Sequence, residues 1–138
     1  MSEHIQIKKG LNLPIEGAAL CNVTKNVIPD IISVKPTDFR ALTLKMLVKE
    51  GDAVLAGTPL FCDKQNPDVV FASPVSGTVD AVVRGDKRKL LEVRVKSDGK
   101  NEAVKHEFGS LASLTGDEVR KALLESGLWP CIKQRPYG

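Results

Sequence analysis

Aromatic residues make up only 4% of this 138-residue chain, so its core must be assembled mostly from Val, Leu, Ile and Ala. Cysteine is equally sparse: Cys21, Cys62 and Cys131 are far apart and odd in number. No C-x-x-C spacing occurs, which excludes the usual zinc and iron–sulfur ligand patterns from this stretch. Such cysteine usage fits a reducing, cytosolic compartment. Long apolar runs are missing, whereas a membrane-spanning helix needs about 20 apolar residues. The opening Met1-Ser2-Glu3-His4-Ile5 lacks a basic stretch followed by an apolar one, so no secretion signal is expected. Neither G-x-G-x-x-G, a Walker loop nor a G-x-S-x-G elbow is present, which removes the common phosphate cradles and the serine-hydrolase nucleophile. His4 and His106 lie in polar surroundings and read as surface histidines, and Cys62 reads as a small buried hydrophobe. No catalytic residue and no metal ligand set is assigned.

What is present is ordinary for a soluble globular domain: 42% hydrophobic and 27% charged residues. The length suits one domain with its own core. A net charge of +3 is too small to imply nucleic acid. Basic residues do cluster, over residues 84–89 and 96–105. They are either a solvated hairpin and loop, or an attraction to an acidic partner or an anionic membrane surface.

The chain is organised around residues 47–79. Gly51-Asp52-Ala53-Val54 in its first half is echoed by Ser76-Gly77-Thr78-Val79 in its second. Each glycine supplies the backbone freedom of a tight turn. Pro59 and Pro74 lack an N–H and suit strand starts or edges. This pattern resembles the hammerhead of biotinyl and lipoyl domains. It implies a mainly β barrel-sandwich hybrid, with an irregular N-terminal arm and one C-terminal helix. Three regions are expected: an arm with edge strands over 1–40, the hammerhead over 41–105, and a helix with the entry to a further domain over 106–138. The last region suggests that the chain is part of a longer protein.

Hydropathy periods support this layout. Two prolines interrupt the β-branched run over residues 27–36, which excludes a helix and favours an edge strand. Leu44, Met46 and Val48 alternate with Lys45, Leu47 and Lys49, as in a half-buried strand. A hairpin is expected across Arg84-Gly85-Asp86, with Leu91, Val93 and Val95 sharing the inner face of its second strand. Thr115 and Glu118 form a capping-box pattern, and Gly127 a C-terminal stop, which predicts a helix over 116–126.

Two groups are candidate sites. Lys64 lies between the hammerhead halves, and Asp63-Lys64 resembles the Asp-Lys pair of lipoyl domains. The connection onward to Ser73-Pro74 is longer than that family's compact hairpin and contains Asn66-Pro67. No Met-Lys-Met tripeptide of the biotin type stands there. An unmodified scaffold is therefore expected rather than a lysine-borne cofactor. In the tail, Trp129 and Tyr137 flank Arg135-Pro136. An aromatic–Arg group of this kind either frames a planar ring such as a quinone or packs the tail onto the protein.

Several segments carry a closer likeness. They are Ile5-Gln6-Ile7-Lys8-Lys9-Gly10-Leu11-Asn12-Leu13-Pro14-Ile15-Glu16-Gly17, Met46-Leu47-Val48-Lys49-Glu50-Gly51-Asp52-Ala53-Val54, Gly57-Thr58-Pro59-Leu60-Phe61, Phe71-Ala72-Ser73-Pro74-Val75-Ser76-Gly77-Thr78-Val79, and Gly127-Leu128-Trp129-Pro130 with Arg135-Pro136-Tyr137. Together they resemble the N-terminal part of the A subunits of bacterial Na+-translocating NADH:quinone reductases. The resemblance implies a non-catalytic structural and docking domain on the cytoplasmic face of the inner membrane, held there by partner subunits. It implies a complex using NADH, flavins, an iron centre and ubiquinone, none of them bound by this stretch, with Trp129, Arg135 and Tyr137 framing a quinone site. The C subunit of Rnf electron-transport complexes has a related N-terminal hammerhead and is the alternative within the same class. A carrier domain modified at Lys64, or a generic adaptor of a transport complex, are the alternatives outside it.

Overall fold

The computed structural model describes residues 10, 17–18, 20–25, 27, 29–39, 42–110 and 113–133. Of the expected arm, residues 1–9, 11–16, 19, 26, 28 and 40 lie outside them, as do Arg135 and Tyr137.

Seven strands and one α-helix make up the regular structure of the described residues: β1 (Ile31–Val34), β2 (Leu44–Met46), β3 (Ala53–Val54), β4 (Pro59–Asp63), β5 (Val70–Ala72), β6 (Gly77–Arg84), β7 (Leu90–Ser97) and α1 (Gly116–Glu125). They form two antiparallel sheets, ordered β1-β7-β6-β3 and β2-β4-β5. This is the expected mainly β barrel-sandwich hybrid. β1 sits on an edge, where the flanking Pro29 and Pro36 remove no ladder hydrogen bond. Pro36 is buried and opens a single 3-10 turn, Pro36–Asp38, whose first position tolerates its missing N–H.

The echoed glycine segments turn out to be each other's partners. Ala53 faces Thr78 and Val54 faces Gly77. The Gly51 N–H donates to the Val79 carbonyl at 2.8 Å, and the Val79 N–H to the Asp52 carbonyl at 2.9 Å. Gly77 has no alternative residue here, because a Cβ would collide with the Lys96 carbonyl oxygen.

Between the sheets, Val54, Leu60, Phe61, Phe71, Val79, Leu90, Val93 and Val95 form the core. Three of the four phenylalanines gather in or against it: Phe61 stacks on Phe71 at 4.9 Å, and Phe39 meets Phe71 edge-on at 4.5 Å. A chain with few rings thus places half of its six in one cluster, where each buries most apolar area. Leu60, Phe61 and Cys62 are all buried, so β4 reads as an apolar run without alternation. Cys62 is the small buried hydrophobe expected of it. β2 keeps the expected alternation, with Leu44 and Met46 half-buried and Lys45 exposed.

The β6–β7 hairpin departs from simple alternation. The pairing slips between Val83 and Arg84, where Arg84 faces Leu90 and Val83 faces Glu92. Leu91 is the unpaired extra residue, a bulge. Leu90 is therefore buried while Leu91 is exposed, correcting the expectation that Leu91 shares an inner face with Val93 and Val95. A second slip, between Val79 and Ala81, leaves Asp80 unpaired on β6.

Candidate functional site

Helix α1 is built by local chemistry. The Glu118 N–H donates to the Thr115 hydroxyl at 3.4 Å, and the Thr115 N–H donates to the Glu118 carboxylate at 2.7 Å. These two bonds complete the expected capping box. They also hold the Glu118 carboxyl below its ordinary range, the backbone bond from Thr115 contributing most.

The helix ends in a Schellman turn. The Gly127 N–H donates to the Leu124 carbonyl at 3.1 Å and the Leu128 N–H to the Leu123 carbonyl at 3.0 Å. Gly127 has φ +70°, which favours glycine. A Cβ there would come within 2.9 Å of the Ala72 Cβ, so the helix end rests directly on β5.

This turn throws the chain into a short 3-10 segment, Trp129–Cys131, and folds the Trp129 ring back onto the helix. The Arg120 guanidinium carbon sits 5.4 Å from the ring centroid, a cation–π contact. Trp129 is half-buried. Arg120 also lines a groove of about 590 Å³ between α1 and the β4–β5 hairpin. Pro59, Pro67 and Val70 form one wall, and Arg120, Lys121 and Leu124 the other. Asp68, Asp117 and Glu125 line it as well, so apolar walls alternate with charged groups of both signs. Of the expected trio, then, the structure describes Trp129, and it supplies a cation, Arg120, that sequence inspection passed over. The only local signal was a helical Arg nine positions before a Trp, with a glycine stop between them.

Lys64 is the first residue after β4, in the loop that leads to β5. Its N–H donates to the Thr43 carbonyl at 2.6 Å, and its side chain is exposed. The chain reverses only later, where the Val69 N–H donates to the Asn66 carbonyl at 2.9 Å. Lys64 is thus anchored before the reversal rather than held at its apex. Asp63 accepts from the Gln65 N–H and the Asn66 side chain, both at 3.2 Å. Those bonds, the Gln65 one foremost, lower its pKa. The acid of the Asp63-Lys64 pair is occupied in shaping its own turn.

Other polar groups have structural partners. His106 is exposed and stacks on Phe108 at 5.5 Å. Among the described residues no three His, Cys, Asp or Glu side chains converge as a metal site, and no helix is long and apolar enough to cross a membrane.

Comparison with known proteins gives a consistent picture. Residues 5–98 match the family model described as the NqrA N-terminal barrel-sandwich hybrid domain. A protein of Neisseria meningitidis serogroup A, named as the A subunit of Na(+)-translocating NADH-quinone reductase, is 42% identical over 135 residues. Proteins of the same name from Actinobacillus pleuropneumoniae and Actinobacillus succinogenes are each 39% identical. These alignments cover 96% of this chain and 30% of each relative, so the chain spans under a third of their length.

Proposed function

We propose a function from one premise: this chain belongs to the family of NqrA N-terminal barrel-sandwich hybrid domains. It is the structural and docking domain of the A subunit of a Na+-translocating NADH:quinone reductase, which couples NADH oxidation and quinone reduction to Na+ export. The observation that carries this reading is the extent of the likeness. It runs past residues 5–98, which the family model matches, and through α1, covering 96% of the chain. A hammerhead shared only as a fold would not extend so far.

On this reading the domain catalyses nothing itself. Electron carriers, flavins and an iron centre, belong to other subunits, and the domain meets them at the cytoplasmic face of the inner membrane. The groove beside Arg120, with Trp129 behind it and Arg135 and Tyr137 following in sequence, frames the approach to the quinone. Lys64 remains unmodified, since its backbone is fixed before the hairpin reverses.

Affinity purification of the complete polypeptide from its native host tests the assignment. A co-purifying membrane complex with Na+-dependent NADH:quinone reductase activity is expected. Recovery with an Rnf-type complex, or with no membrane flavoprotein, would overturn it. The intact mass of the same sample checks Lys64: an added lipoyl or biotinyl mass would establish the carrier reading instead.

A further inference from the structure

Between the two sheets lies a pocket of about 570 Å³ open to solvent. Phe39, Leu42, Leu44, Met46 and Leu90 line its interior. All but Leu90 are only half-buried, although they pack against the core. Arg84, Arg88 and Lys89 form its rim. All three are exposed, and none has a carboxylate within salt-bridge distance among the described residues, where the ion pairs are Arg94–Glu92 and Lys121–Glu125. Between residues 84 and 89 four cations stand against one carboxylate, Asp86. Asp86 does not line the pocket.

The turn that carries these cations is unusual for its sequence. The Lys89 N–H donates to the Asp86 carbonyl at 3.1 Å, closing a turn with Lys87 at φ 53° and Arg88 at φ 61°. Two successive left-handed residues make this the mirror-image hairpin turn in which Asn-Gly is favoured. Two long cations occupy it instead, in a conformation that their Cβ atoms disfavour. Of these two cations, Arg88 lines the pocket and Lys87 does not.

We propose that this pocket docks an anionic phospholipid of a membrane surface, with the headgroup phosphate among Arg84, Arg88 and Lys89 and an acyl segment against Leu42, Leu44 and Met46. Charge complementarity selects the headgroup, and the half-buried apolar interior selects the chain. Peripheral binding gains from buried apolar area and from attraction to anionic lipid together, and here both share one opening. Long basic side chains suit the role, since their stems cover apolar surface while their charges stay in water. This proposal does not depend on the reductase assignment, whose test is co-purification.

The experiment uses the complete polypeptide, so that any part of it that covers the pocket counts against the proposal. It is sedimented with vesicles of phosphatidylcholine alone or mixed with phosphatidylglycerol. Binding to the mixed vesicles only is expected. The double variant Arg84→Gln/Arg88→Gln should bind them more weakly by about fivefold per charge removed. Lys96→Gln/Lys100→Gln, which removes equal charge at the other end of the β6–β7 hairpin, should bind as the parent does. Circular dichroism of both variants checks that they fold; Lys89→Gln serves as the substitute if the first pair does not. Four outcomes overturn the proposal: no vesicle binding, equal binding to both compositions, equal loss in both double variants, or displacement from the vesicles by inorganic phosphate.

Discussion

The Ser76 hydroxyl donates to the Asp98 carboxylate at 2.6 Å, joining residues 22 positions apart. Ser76 is fully buried, and the same oxygen accepts from the Glu102 N–H at 3.1 Å. Asp98 in turn accepts from the Lys100 N–H at 2.9 Å and donates its own N–H to the Ser76 carbonyl at 3.1 Å. One hydroxyl thus ties the second glycine turn of the hammerhead to the chain leaving β7. The carboxyl of Asp98 is held below its ordinary range chiefly by the Ser76 hydroxyl, and next by the Lys100 N–H.

Replacing Ser76 by Ala removes that hydroxyl from a closed position and leaves the Glu102 N–H without its acceptor. Asp98 and Glu102 are exposed and can turn to water, so the expected loss is about 0.5–1.5 kcal/mol, the net worth of a hydrogen bond. Urea unfolding of Ser76→Ala beside the parent measures it through the midpoint at unchanged slope. An unshifted midpoint would mean that the knot is ornamental.

Acid should loosen the same knot. A carboxyl whose folded pKa is depressed contributes stability above its unfolded pKa, and that contribution is lost as pH falls through the folded value. For Asp98 the ordinary value is 3.8, so its share is intact at neutral pH, begins to be lost below about pH 4 and is gone once the pH has passed the still lower folded value. Asp98→Asn should be less stable than the parent at pH 7, with the gap narrowing as the pH is lowered past that point. Thermal melts of both proteins across this range read the gap directly, and a constant gap contradicts the linkage.

Two glycines of the echoed motif should respond differently to the same substitution. Gly51 has φ +90° but open space around it, so Gly51→Ala meets only the left-handed penalty of about 1–2 kcal/mol. Gly77 has φ +152° and faces the Lys96 carbonyl across the sheet, so Gly77→Ala must also part β6 from β7. Its loss should exceed that of Gly51→Ala by more than about 2 kcal/mol and is expected to abolish soluble expression. Equal midpoints for the two variants would show that the sheet yields there at little cost.

Trp129→Ala and Arg135→Ala, made in the intact complex, should lower quinone reduction while leaving its subunit composition unchanged. Arg120→Ala belongs to the same set, because it removes the cation over the Trp129 ring at a stability cost of only about 0.5–1 kcal/mol. Lys45→Ala, exposed on β2 and outside that groove, is the reference. Steady-state rates with quinone titrated at saturating NADH separate affinity from turnover. Normal rates in both Trp129→Ala and Arg135→Ala would remove this end of the chain from the quinone path.

The amino-acid sequence by itself determined whatever depends on neighbours in the chain. The helix cap at Thr115 and Glu118 and the stop at Gly127 close hydrogen bonds within a few residues, so residue types and spacing suffice to read them. Edge placement of β1 follows from prolines that cannot donate, and the likeness of the 47–79 halves is visible without coordinates. Tertiary structure decided whatever depends on register and on distant partners. A one-residue slip near Arg84 exchanged Leu90 for Leu91 in the core, because the side-chain period of a strand is two. Arg120 met Trp129 only because the Schellman turn doubled the chain back. The four apolar positions that flank the basic rim, scattered over residues 39–46, became one pocket only when β2 and the tip of the β6–β7 hairpin faced each other across the sandwich. Local bonds are encoded locally, whereas the meeting of two sheets is a property of the whole chain's burial.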